Sequence, residues 1–352
     1  MTVRRANVIG LGLVGGSIAV GLHQRGWHVY GDDATDGVAE RAVELGVIDA
    51  TGLHPDAAIT FVAVPVGAVA DQVKRALTET TGVVTDVGSV KSVVCAACDD
   101  PRFIGGHPMA GSELDGLDGA DGDMFNGAIW VLTPTPVTAD RTLADVSGIV
   151  RALGAEAIAL APEQHDQVVA VISHVPHLTA ATLMGLAADR SDEHAALLRL
   201  AAGGFRDMTR IASGHPDIWL DICAENRPAI LATLDGLITR LQAVRGIVDT
   251  VDRDALLTTL TAAREARTNL PSRVAHPESL AEVRIPIPDR TGAAAEVFTL
   301  AAEIGVNIAN FEVVHVLEGK GVAVVLVDAA SAELFRGGLL ARGFKPAVTP
   351  LA

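Results

Sequence analysis

A short apolar strand pattern, Ala6-Asn7-Val8-Ile9, runs directly into Gly10-Leu11-Gly12-Leu13-Val14-Gly15, and a helical pattern follows from Ser17 to Gln24. No other stretch restricts the fold as much. Glycines spaced G-x-G-x-x-G between a strand and a helix do three jobs. The first permits a tight turn, the second lets the backbone approach a pyrophosphate, and the third lets helix and strand pack closely. The helix then offers free N–H groups and the positive end of its dipole to that anion. Alone the glycines are a weak signal; a second strand ending in an acid about twenty residues on strengthens it. Trp27-His28-Val29-Tyr30 is such a strand, and Gly31-Asp32-Asp33 ends it. Asp33 is preferred over Asp32 as the carboxylate for the ribose 2′-OH of NAD, where it would repel the 2′-phosphate of NADP. The cofactor candidates are Gly10, Gly12, Leu13, Val14, Gly15 and Asp33, with Val64 and Pro65 at the end of a later strand.

The same opening has the look of an export signal. Arg4 and Arg5 precede a run without charge from Ala6 to Leu22. Gly10, Gly12, Gly15, Gly16 and Gly21 make that run a poor membrane helix, so it reads as the first strand and helix of a folded domain. Aromatic residues are only 3% of a chain that is 49% hydrophobic, so the core must be built from Ala, Val, Leu and Ile. The net charge is −16 with no block of Lys or Arg. That excludes a polyanion partner such as DNA, which needs dense cationic contacts, but not a small anion held by one or two arginines. Cys95, Cys98 and Cys223 cannot all pair, which fits a reducing cytoplasm. Cys95 and Cys98 form a CxxC inside a helix-like run, but no second CxxC completes a tetrahedral zinc site, and no metal is expected. Neither nucleic acid nor membrane is an expected partner.

Strand and helix patterns alternate as far as Leu160, with further strands at Ile59–Val64, Gly82–Val87, Phe103–Gly106, Ala128–Thr133 and Ala155–Leu160. Such alternation predicts a parallel sheet covered on both faces, with ligands at the carboxyl ends of its strands. From Pro162 to about residue 270 the apolar period is nearer 3.6, as in Ile230-xx-Thr233-Leu234-xx-Leu237-Ile238. The run from Asn269 to Ser279, with Pro271 and Pro277, reads as a linker. The remaining residues, 281–352, carry a βαββαβ pattern of the ferredoxin-like kind. Three domains follow: a Rossmann-type α/β domain (1–161), an all-α domain (162–270) and, after a linker (271–280), the βαββαβ module. The acidic, glycine-rich run from Asp115 to Asp123 does not match an EF-hand loop and reads as a solvated loop.

Four clusters could carry chemistry. Ser89, in Asp86-Val87-Gly88-Ser89-Val90-Lys91, follows a strand end and is either a functional hydroxyl or a plain helix cap. His107, in His107-Pro108-Met109-Ala110-Gly111-Ser112-Glu113, is placed to act as a general base or is a loop histidine. His174 and His177, in Ser173-His174-Val175-Pro176-His177, face one way on a helix. They lack the Glu of HExxH, which argues against a metal pair. Arg206, Asp207 and Arg210, in Gly203-Gly204-Phe205-Arg206-Asp207-Met208-Thr209-Arg210, are either an anion clamp or a solvated ion pair.

In this order and spacing, GLGLVGGS, DVGSVK, HPMAGSE, SHVPH and GFRDMTRIA resemble the prephenate dehydrogenase family, five motifs across some 200 residues. The trailing module resembles an ACT domain. The resemblance implies NAD-dependent oxidation of prephenate with loss of CO2, giving 4-hydroxyphenylpyruvate on the route to tyrosine. Close relatives take arogenate and give tyrosine directly. It implies that His107 accepts the ring-hydroxyl proton, that Ser89 orients that hydroxyl or the histidine, and that Arg210 binds a substrate carboxylate. His177 and His174 would line the pocket, Glu113 and Asp207 would surround the arginine, and Trp219 is either a pocket aromatic or core. It further implies a homodimer built on the helical domain, and an amino acid, tyrosine, bound near Asp289, Arg290, Gly292, Asn307 and Ile308.

Three rival readings stand beside this one. Arogenate dehydrogenase differs only in the substrate side chain, amino against keto. A non-catalytic nucleotide- or amino-acid-sensing protein predicts missing catalytic residues, yet Ser89, His107 and Arg210 are present. A 3-hydroxyacid dehydrogenase would need a Lys-centred motif of its own.

Overall fold

The computed structural model describes residues 3–111, 114–191, 200–214, 216–269, 280–288, 290–316 and 320–350. The chain divides into two compact units, Met1–Thr250 and Val251–Ala352. The first begins with β1 (Arg5–Ile9), α1 (Leu13–Gln24), β2 (His28–Asp32), α2 (Val38–Glu44), β3 (Ala50–Thr51), β4 (Ile59–Val62) and α3 (Val66–Glu79). It continues with β5 (Val83–Asp86), α4 (Ser92–Ala96), β6 (Phe103–Pro108), β7 (Ile129–Thr133), α5 (Asp140–Ala152) and β8 (Glu156–Ala159). The eight strands form one sheet in the order β3-β2-β1-β4-β5-β6-β7-β8. The order reverses between β1 and β4, which opens the crevice where such sheets bind nucleotides. Phe61, Ile104, Phe125 and Trp130 are fully buried in its core, each stabilising by about 1.5–3 kcal/mol.

The expectation of an all-parallel sheet needs a correction. β6 and β7 are antiparallel, with His107 opposite Val131, while β7 and β8 are parallel. Among the described residues no α-helix crosses back between β6 and β7, and a 3-10 turn at Leu117–Gly119 lies in the connection; a chain that returns without a crossover pairs antiparallel. The acidic loop is docked on one side only. Asp115, Asp118, Asp121 and Asp123 are exposed, but a Cβ on Gly16 of α1 would lie 2.9 Å from Ala120 Cβ, so the loop packs tightly on that helix.

Helices then take over, in α6 (Pro162–Val169), a π-turn (Ala170–His174), α7 (Val175–Ser191), α8 (Gly203–Thr209), a 3-10 turn (Arg210–Ser213), α9 (Asp217–Glu225) and α10 (Arg227–Asp249). Pro162 occupies the first turn of α6, where its missing N–H costs nothing. The run Pro162–Arg190 is long and apolar enough to cross a membrane. However, His165, Asp166 and His174 are buried on it and bonded to partners elsewhere in this unit, so this face belongs to the protein core.

The second unit begins with α11 (Arg253–Thr268). It continues with β9 (Leu280–Ile287), α12 (Ala293–Glu303), β10 (Ile308–Val316), β11 (Lys320–Asp328), α13 (Ala329–Ala341) and β12 (Ala347–Pro350). Its four strands run in the order β10-β11-β9-β12, all neighbours antiparallel. Val283, Ile285, Val325, Phe335 and Leu339 form the core of this module.

Candidate active site

The glycine loop lies at the crevice. Gly10 has φ +89°, and a Cβ there would strike the Ala63 carbonyl oxygen just past β4 and lie 3.1 Å from Val64. A Cβ on Gly15 would strike the Gly10 carbonyl oxygen. Both positions therefore demand glycine, one for conformation and closeness, the other for closeness. Gly12 differs, because nothing lies within 4 Å of its would-be Cβ, so bare backbone faces open space. Gly12 caps α1 without a side-chain hydrogen bond, which leaves helix N–H groups for an anion. Asp33 sits on this loop, accepting from Leu11 N at 2.7 Å and from Thr35 N at 2.8 Å. Asp32 points elsewhere, to Arg75 of α3 at 2.6 Å. Leu13, Val14, Val64 and Pro65 flank the loop. This cradle fits a dinucleotide.

His107 stands near the carboxyl end of β6. Its Nδ1 lies 2.8 Å from Nε2 of His165 on α6, and His165 Nδ1 lies 2.8 Å from Asp166 Oδ1. Asp166 in turn caps α4, accepting from Lys91 N and Ser92 N at 2.8 Å each. Burial alone would raise the Asp166 carboxyl. The donors from His165, Ser92 and Lys91 overcome it and hold the group below the usual carboxylate range. Burial, with His165, Lys91 and His174 close by, pushes His107 well below the ordinary histidine value, so its imidazole is neutral near pH 7. Asn226, at the start of α10, donates to the Asp166 carbonyl at 2.9 Å and bonds His174 Nδ1 at 3.1 Å. Beneath this network Lys91 and Asp86 form a fully buried ion pair. Asp86 also accepts from Gly88 N at 2.9 Å and Gly106 N at 3.1 Å. Ser89 lies in the turn between β5 and α4, past the end of the strand that pairs with that of His107. The residue at the α4 cap is Lys91, and the capping carboxylate is that of Asp166, so Ser89 is not the helix cap.

A second group lies further along the helices. The His177 ring stacks on Trp219 with centroids 3.6 Å apart and planes 13° apart, while His174 meets Trp219 edge-on at 6.1 Å. Trp219 is half-buried and packs on the small core of α9 and α10. Its Nε1 is shielded and has no acceptor among the described residues. A Cβ on Gly214 would lie 3.6 Å from His177 Cε1, so the turn bearing Arg210 passes beside His177. Arg210 and Asp207 are both exposed. Glu113 lies outside the described residues.

The comparisons with known proteins agree with this arrangement. The model of the prephenate dehydrogenase nucleotide-binding domain matches residues 18–159, and that of the prephenate dehydrogenase dimerization domain matches residues 161–262. A prephenate dehydrogenase of Bacillus subtilis is 33% identical over 327 residues, covering 88% of each chain. The chain belongs to the prephenate dehydrogenase family. Among solved structures, the Aquifex aeolicus prephenate dehydrogenase in complex with hydroxyphenyl propionate and NAD+ superposes with a TM-score of 0.72 at 28% identity, covering 77% of this chain and 99% of that one. Synechocystis arogenate dehydrogenase superposes with a TM-score of 0.67 at 30% identity, covering 75% and 98%. As a member of the prephenate dehydrogenase family the protein is an NAD-dependent oxidoreductase that decarboxylates prephenate as it oxidises it.

Sequence reasoning missed His165, Asp166, Asn226 and the Lys91–Asp86 pair. His165 and Asp166 are adjacent, and neighbours on a helix do not face one way, so spacing gave no cue. The lysine in Asp86-Val87-Gly88-Ser89-Val90-Lys91 did carry one, because a lone cation in an apolar run must find a buried partner. In the second unit Arg290 is engaged by Glu296 through two bonds of 2.5 and 2.6 Å. Gly292 caps α12 at φ +83°, Asn307 is exposed and Ile308 begins β10. Asp289 lies outside the described residues.

His174 gives the site an acid sensitivity. Burial lowers its pKa from 6.5 to about 4 against the pull of Asp166. Between those values the unfolded chain binds a proton that the folded chain refuses, so stability falls as pH drops from 6.5 towards 4. Thermal unfolding across this range should show a declining Tm, and His174→Gln should flatten the decline. An identical slope in the variant would contradict the assignment.

Proposed function

We propose that the protein prefers prephenate to arogenate and that His107 is its general base. The observation that supports the base assignment is an imidazole bonded through Nδ1 to His165, near the carboxyl end of β6, which burial keeps neutral, and the substrate preference follows the relatives named above. Gly10, Gly12, Leu13, Val14, Gly15, Asp33, Val64 and Pro65 would hold NAD, which supplies the hydride acceptor when bound. His107 Nε2 takes the ring-hydroxyl proton while the carbon bearing that oxygen gives up its hydride. The ring carboxylate then leaves as CO2, its bonding pair completing the aromatic ring, and the proton held on His107 returns to the phenolate oxygen. The chain's task is to position and to hold one proton, since aromatisation drives the loss of CO2. Ser89 would orient the hydroxyl. His174, His177 and Trp219 would wall the pocket, with Glu113 and Asp207 near Arg210. Incubation with prephenate and NAD should yield 4-hydroxyphenylpyruvate, CO2 and reduced cofactor in equal amounts; reduced cofactor without CO2 would overturn it.

Arg210 would grip a substrate carboxylate with its planar fork. Arg210→Gln should raise KM for prephenate about tenfold or more and leave kcat nearly unchanged, because it removes binding common to ground and transition states. A fall in kcat at constant KM would count against this role.

The helical region supports a homodimer. A cavity of about 1120 Å³ opens among α6, α7, α8 and α10, with Val171, Leu183, Met208 and Leu237 among its walls. Ile238, Leu241 and Val248 of α10 are exposed. A second copy would cover such surface. The strand order of the βαββαβ module, β10-β11-β9-β12, supports a ferredoxin-like, ACT-type reading, in which Arg290, Gly292, Asn307 and Ile308, with Asp289, would bind tyrosine as a feedback ligand. Adding tyrosine to the full chain should lower activity and raise Tm; no change in either would sink this. The three free cysteines suit a reducing cytoplasm.

A further inference from the structure

We infer that His165 and Asp166 are positioning residues that fix His107 in the tautomer with its proton on Nδ1, leaving the Nε2 lone pair for substrate. The direction of each hydrogen bond follows from the fixed donors. Lys91 N and Ser92 N are backbone donors, and both point at the Asp166 carboxylate. An ionised carboxylate only accepts, so the 2.8 Å contact to His165 requires a proton on His165 Nδ1. With His165 as the neutral imidazole its Nε2 carries a lone pair, and the 2.8 Å contact then places the proton on His107 Nδ1; a doubly protonated His165 would instead donate to His107 Nδ1, and nitrogen NMR separates the two. Nothing in this deduction uses the substrate. It rests on backbone amides at the start of α4, which fix Asp166 as the acceptor, and on a neutral His165.

The inference deepens the proposed role of His107 and rests on it for its catalytic meaning. A neutral imidazole free to choose would spend part of its time with Nε2 protonated and useless as a base. The chain removes that choice. When His107 takes the hydroxyl proton it becomes an imidazolium, and its Nδ1–H already donates towards His165 and, through it, towards the Asp166 carboxylate. The developing charge thus meets a prepared dipole and a buried anion. No proton need move along the chain. His165 is fully buried and Asp166 nearly so, so water does not compete for these bonds. Asn226, on the Asp166 carbonyl, braces the helix end that presents both residues.

Two measurements test this. The first uses the wild-type full chain without substrate. Imidazole nitrogen NMR, with the His107 signals assigned by their loss in His107→Asn, should show Nδ1 protonated and Nε2 bare. The reverse pattern would overturn the inference even if His107 proved to be the base. The second compares His165→Phe, which removes the acceptor but fills the space, with His165→Gln, whose amide can accept from His107 and donate to Asp166. His165→Phe should lower kcat on the order of a hundredfold with little change in KM for prephenate. It should also move the acid limb of kcat/KM to lower pH, because the His107 imidazolium loses its acceptor while Lys91 remains nearby. His165→Gln should recover most of the kcat. Equal losses in both variants, or wild-type kcat in His165→Phe, would overturn it. Correct tautomer and rescue with no effect of His107→Asn would instead condemn the general-base reading.

Discussion

Replacing His107 with asparagine is expected to lower kcat by about 10²–10⁴-fold, the range a positioned general base supplies. Asparagine keeps an amide near Nδ1 but has no lone pair of comparable basicity at the position of Nε2. Binding should survive, because the nucleotide cradle is built from the loop at Gly10–Gly15 and from Asp33, not from β6. Steady-state rates with saturating prephenate and NAD, together with the dissociation constant for NAD, separate these effects. Full kcat in the variant would remove His107 from the chemistry.

The second large effect concerns stability. Lys91 and Asp86 are both without exposure to solvent. Lys91→Met would leave Asp86 with two backbone donors, from Gly88 and Gly106, and no counter-charge. Breaking such a pair costs about 3–5 kcal/mol, because the remaining charge is buried and uncompensated. The pair also ties the end of β5 to the start of α4, directly under the strand that presents His107. Chemical denaturation should therefore show a loss of that size in Lys91→Met. The double variant Lys91→Met, Asp86→Leu should lose less than the sum of the two single changes. A loss below about 1 kcal/mol in the single variant would mean that the pair is not the electrostatic unit described here.

The glycine loop shows how far sequence reading reaches. Tight turn, close approach and open backbone at Gly10, Gly15 and Gly12 are local requirements, and the spacing of three glycines records them. Strand and helix periods placed seven of the eight strands of the first sheet, all but the two-residue β3, and the elements of the βαββαβ module to within a few residues. Pairing direction at β6 and β7 was not legible, because it depends on whether the connection crosses the sheet. The site divides the same way. His107, His174 and His177 stood out as chemically distinctive residues in short motifs. His165 and Asp166 did not, since their importance comes from a fold that brings α6 against β6 and α4. The π-turn at Ala170–His174 is equally silent in the sequence, yet it ends on His174 and so helps set where that ring lies. The GFRDMTR motif marks Arg210 as a candidate clamp, and the structure puts it on an exposed turn beside His177, a placement that no local pattern encodes.

The central claim is an NAD-dependent oxidation of prephenate. Absorbance of the reduced cofactor, followed with each pairing of prephenate or arogenate and NAD or NADP, tests it most directly. The account expects the largest kcat/KM for prephenate with NAD, because Asp33 lies on the glycine loop where a 2′-phosphate would meet its charge. A much larger kcat/KM for arogenate, or for NADP, would contradict it.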